Sequence, residues 1–102
     1  MVYNPDSWEL VWVKGNTPHW RVFGSFSGSY LDGDSWRLNS GIKKVEESDT
    51  HYRFIGLSGS VYECHKDAYG VRNPYTSSVL AKIIANDMGE TFDEMPNISE
   101  LF

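Results

Sequence analysis

Cys64 and His65 stand side by side within 61–66 and raise nucleophilic catalysis first, because a thiol attacks as its thiolate and needs a base close by. The segment alternates as a strand does, which turns adjacent side chains to opposite faces. A catalytic pair would therefore need His19 or His51 from another strand, and Cys64 is assigned to the core, where cysteine is commonly found. The three histidines and Asp67 lack a spacing such as HxxxH that puts two ligands on one element, so no metal site is expected. Asp32-Gly33-Asp34-Ser35 has the flavour of a calcium loop, yet its glycine comes too early and Lys43 stands where the distal bidentate glutamate belongs. The Gly-Ser runs 24–29 and 56–60 neither open a helix nor carry a phosphate-binding lysine, so they read as turns. The expectation is a protein that is not an enzyme, with no catalytic residue, no metal and no cofactor.

Two sets of residues could bind rather than react. Phe92, Met95, Ile98, Leu101 and Phe102 recur about every three residues among acids, and a free acidic tail seldom holds five large apolar side chains. That set either packs or recruits, and it is the candidate surface for a protein partner or for self-association. Arg37, Lys43, Lys44, Arg53 and Arg72 are interleaved with Trp36, Tyr52, Tyr69 and Tyr75, a mix of charges and stacking platforms that suits RNA or single-stranded nucleic acid. Charge distribution weighs against this second set. Nine basic and nine acidic residues balance up to Lys82, and the net charge of −5 comes wholly from Asp87, Glu90, Asp93, Glu94 and Glu100. A neutral body lacks the positive field that supplies most non-specific nucleic-acid affinity.

The elements that position these residues follow from local pattern. Residues 8–13 alternate Trp8, Leu10 and Trp12 against Glu9, Val11 and Val13, which makes a strand with both faces partly covered. Lys14-Gly15-Asn16-Thr17-Pro18 turns the chain into a second strand, 19–26, carrying Trp20, Val22 and Phe26 on one face. A loop over 27–35 follows. The third strand starts at Trp36, breaks at Asn39-Ser40-Gly41, and resumes with Ile42 and Val45 three apart, which predicts a bulge or strong bend. The fourth and fifth strands, 51–57 and 61–66, share a tight connection at 57–60, and Trp36/Leu38, Tyr52/Phe54 and Tyr62/Cys64 each mark one strand face. Residues 67–75 read as a loop. Val79, Leu80, Ile83, Ile84 and Met88 then take helical spacing, with Thr76 or Ser77 as cap and Gly89 as stop. The apolar stripe of that helix is expected across an open barrel end or against a second subunit.

At 102 residues the chain is one domain, 1–102, with a barrel at about 8–66, the loop, a helix at about 77–88 and an acidic apolar tail at 89–102. One cysteine rules out an intrachain disulfide framework, and 1–10 has neither the basic region nor the apolar core of a secretory signal. No apolar run approaches membrane-spanning length, so a soluble, cytoplasmic protein without membrane contact is expected. Five strands, the bent third strand, short later hairpins and a single helix resemble the small-barrel group that includes SH3-like and Sm-like domains, over 8–88. The helix of Sm proteins precedes the first strand and here it comes last, so no Sm-type RNA contact carries over to a residue of this chain. The high Trp and Tyr content and Ser-Gly-rich turns are similar in style to phage and environmental proteins. The resulting expectation is a mainly β, five-stranded antiparallel small barrel with one C-terminal helix, serving as a protein-interaction or assembly module. The alternatives are a nucleic-acid-binding barrel and a small Cys/His enzyme.

Overall fold

A computed structural model describes residues 1–28 and 33–102, and for Asp87 and Met88 the backbone alone. The middle of the predicted 27–35 loop and Asp32 of the calcium-like segment lie outside the described residues. The chain runs β1 (Val2–Tyr3), β2 (Ser7–Val13), β3 (His19–Phe26), β4 (Ser35–Leu38), β5 (Ile42–Glu47), β6 (His51–Gly56) and β7 (Val61–His65). Then follow a 3₁₀ turn at Lys66–Ala68, helix α1 (Pro74–Ile83), a π-helical turn at Ile84–Met88, β8 (Glu90–Thr91) and α2 (Ile98–Leu101).

The strands form two sheets, ordered β1-β7-β6-β5 and β4-β3-β2-β8, and the fold is mainly β, with eight strands among the described residues and not the five expected. The predicted strands are all present. The difference arises because the bent third strand is two strands, β4 and β5, and because β1 and β8 are two-residue pairings too short to show a period. At the bend the chain leaves one sheet for the other. Asn39 is buried there, its Oδ1 accepting the Val22 N–H at 2.8 Å, and Gly41 takes φ 124°, a backbone that side-chain-bearing residues rarely adopt. The predicted slip between Ile42 and Val45 is a register shift between Ile42 and Lys44.

The sheets do not close into a barrel. Closure would need a continuous ladder around the roll, whereas β8 pairs with β2 over only Val11 and Trp12, and the bridge of Trp8 in β2 to Tyr69 reaches only the segment after the 3₁₀ turn and no strand of the other sheet. Side chains occupy the space between the sheets instead. Trp8, Leu10 and Val22 from one sheet meet Phe54, Tyr62 and Cys64 from the other. Trp8 anchors this core: its indole N–H donates to the His65 carbonyl at 2.8 Å, and its ring meets Tyr69 edge-on at 4.9 Å.

The β4-β3-β2-β8 sheet is covered on its outer face as well. Val11, Val13 and Phe23 pack there against Val71 and Leu80, so α1 lies on the face of its own sheet and not across a barrel mouth. Trp36 and Leu38 point to this layer, Trp36 stacking on Phe23 at 5.6 Å, whereas Tyr52/Phe54 and Tyr62/Cys64 face the inter-sheet core. The helix also starts earlier than its apolar spacing predicts. Asn73, not Thr76 or Ser77, is the cap and accepts the Tyr75 and Thr76 N–H groups, with Pro74 in the first turn where its missing donor costs nothing. Thr76 is buried and shares a 2.7 Å hydrogen bond with Ser25.

Candidate functional site

The hairpin joining β2 and β3 sets Trp12 directly opposite Trp20. By strand alternation both share the face of Leu10 and Val22, but they lie where the inter-sheet core runs out: Trp20 packs against that core and Trp12 stays outside it. Their rings sit 4.9 Å apart at 58°. A third ring arrives from the far end of the chain. Gly89 brings the backbone so close to β2 that a Cβ there would stand 2.0 Å from the Trp12 carbonyl oxygen, and β8 then pairs with Val11 and Trp12. Phe92 follows at once and stacks on Trp20 at 5.3 Å and 22°.

Phe92 is held from both sides. The Thr91 hydroxyl lies 2.8 Å from the Leu10 carbonyl and 3.0 Å from Glu9 Oε1, and the Tyr69 hydroxyl donates to the Phe92 carbonyl at 2.9 Å. Burial pushes the Tyr69 phenol up from its ordinary range, so the hydroxyl stays a donor. The three rings, with Glu90 and Thr91, line a recess of about 330 Å³. Glu90 forms its rim and holds Lys14, Nζ to Oε1 3.0 Å. A half-enclosed space with ring walls and one carboxylate at the edge suits a flat or cationic apolar group.

The five apolar tail residues divide. Phe92 lines the recess, and Met95 is exposed without lining it. Ile98 is 2% exposed and Leu101 packs beside it, both against the inter-sheet core of their own chain, so Ile98 offers no surface to a partner. Phe102 lies edge-on to Phe54 at 6.2 Å, is 46% exposed, and borders a groove of about 510 Å³ between α2 and β5.

The basic candidates are not gathered on one face. Arg37 stacks over Tyr3 at 4.3 Å on the edge strand β4. Lys43 and Lys44 line the α2–β5 groove, and Lys44 pairs with Glu46 at 3.4 Å. Arg53 lies between Glu46 and Glu63, each at 3.4 Å. Arg72 is elsewhere, in a polar cleft with Asp6 and Asp67.

Cys64 is fully buried, and burial raises its thiol far above the range in which thiolate forms. His51 and His65 lie directly opposite each other on the outer face of the same sheet, ring centroids 4.8 Å apart. His65 Nδ1 accepts the Asp67 N–H at 3.0 Å, and His51 Nδ1 is 2.7 Å from the Thr50 hydroxyl. Among the described residues no three His, Cys, Asp or Glu side chains are grouped to hold a metal ion.

Trp12, Trp20 and Glu90 are the site residues that sequence reasoning did not single out. The signal for the first two was present, since a turn at 14–18 places 12 opposite 20, but nothing local ties either to residues 90–92. Comparison with protein-family models, with curated proteins and with solved structures finds no significant match to this chain, so the small β fold is described without a family.

Proposed function

We propose that this chain is a non-enzymatic protein-interaction module whose contact surface is the aromatic recess of Trp12, Trp20 and Phe92. The observation that carries the reading is the placement of Phe92, 36% exposed yet tied down by Thr91 and Tyr69 on either side. Exposed rings that are already immobilised lose little freedom when a partner covers them, and aromatic side chains in such settings dominate binding energy. Reactive groups give less support to an enzyme, with Cys64 buried and both His51 and His65 engaged through Nδ1. Nucleic-acid binding is supported less well, because Arg53 and Lys44 share carboxylate partners on their own sheet.

Selection of a displayed random-peptide library on the wild-type protein, with counter-selection on Phe92→Ala, tests this reading. Enriched peptides should bind the wild type at least about tenfold more tightly than the variant, as expected for loss of one aromatic anchor, while the near-ultraviolet circular dichroism of the two proteins matches. Peptides that bind both proteins equally, or no enrichment at all, would remove the recess as the contact surface.

A further inference from the structure

We propose that the recess takes a cationic side chain, the guanidinium or ammonium group of an arginine, lysine or methylated lysine presented by a protein partner. This rests on the recess being the contact surface and adds what it selects. The first support is ring chemistry. Indole faces carry the negative end of the aromatic quadrupole and are the best side-chain platforms for a cation, and two indole side chains with a phenyl ring, the latter stacked on Trp20, line this cavity.

The second support is charge complementarity. Glu90 stands on the rim, and Asp93 and Glu94 follow Phe92 directly, in a stretch with no basic residue after Lys82. The third support is that a cation already uses the rim. Lys14 reaches Glu90 at 3.0 Å with both side chains more than half exposed, 55% and 67%. Exposed pairs of this kind hold weakly, so an incoming cation that also gains the ring faces displaces Lys14 at little cost. Lys14 is thus an internal competitor for Glu90, and its loss should strengthen binding of a cation while leaving a neutral ligand unaffected.

The experiment follows the indole N–H signals of Trp12 and Trp20 by NMR during titration with short peptides. The probes carry one arginine, citrulline, trimethyllysine or glutamine, and cellohexaose serves as an uncharged stacking ligand. The expected result is movement of both signals with arginine and trimethyllysine, about tenfold weaker binding of citrulline and glutamine, about fivefold loss in Glu90→Gln, and about threefold gain in Lys14→Ala. Unchanged signals elsewhere in the spectrum establish that the variants remain folded. If citrulline and glutamine peptides bind as well as their charged counterparts, or Glu90→Gln and Lys14→Ala have no effect, the cation is overturned and the recess stands as a contact surface for neutral groups. If cellohexaose moves the signals and the peptides do not, both the cation and the protein partner are overturned in favour of a sugar. If no probe moves them, the cation is overturned, and the peptide selection against Phe92→Ala separately decides the recess.

Discussion

Glu9 shows how much one side chain joins in this molecule. It is buried behind β2, where Oε2 accepts the Val71 N–H at 2.9 Å and Oε1 lies 3.0 Å from the Thr91 hydroxyl, so one carboxylate links β2, the segment before α1, and β8. Glu9→Gln puts an amide donor against one of these two donors and should cost about 1–3 kcal/mol in urea unfolding, the usual penalty for a buried group without its partner. Cys64 makes a second prediction at this scale. Thiol labelling of the native protein should proceed only at the rate of global unfolding, and fast labelling in the absence of urea would show that the inter-sheet core is open. The burial of Cys64 was legible in its strand spacing. The role of Glu9 was not, because an acid in an alternating strand reads as solvent-facing until a second layer is known to cover that face.

Among the elements, α2 separates packing from recruitment within the tail. Ile98 fills the inter-sheet core beside Phe54, Tyr62 and Cys64, whereas Phe92 and Phe102 keep 36% and 46% of their surface exposed. Ile98→Ala should therefore destabilise the protein by about 2–4 kcal/mol, the cost of a cavity in a core that cannot collapse, and Phe92→Ala by clearly less. Parallel urea midpoints check the contrast. Equal small losses would mean that α2 rests loosely on the sheets. The threefold apolar spacing of the tail marked it for burial, but spacing alone does not say against what. Ile98 and Phe102 are both large and apolar, and only their distances from Phe54 and the inter-sheet space give them different tasks.

For the whole molecule, the marked protonation shifts point to alkaline lability. Burial raises Cys64, Tyr62 and Tyr69, and the Glu47 hydrogen bond raises Lys66, so the folded state holds each of these protons more firmly than the unfolded chain does. A raised folded value contributes stability that is complete below the unfolded value and is lost as pH climbs toward the folded one. The urea midpoint should stay level from pH 7 to 8 and fall from about pH 9 upward, where the unfolded thiol and then the phenols and the amine ionise. Cys64→Ala should delay that fall to about pH 10, and an unshifted profile would assign the loss to the tyrosines and Lys66 alone. At this scale the division between sequence and structure is clearest. The positions of the longer strands, the bend at Asn39-Ser40-Gly41 and the existence of a long helix were settled by the chain alone, because pleating, turn conformations and helical periodicity act over a few residues. Tertiary structure decided that the sheets stay unclosed, that α1 covers the outer face of β2 and β3, and that residues 12, 20, 90 and 92 meet. The reason is that β2 is apolar on both faces, and which layer covers each face depends on segments more than forty residues away, whose competition for the same surface has no local trace.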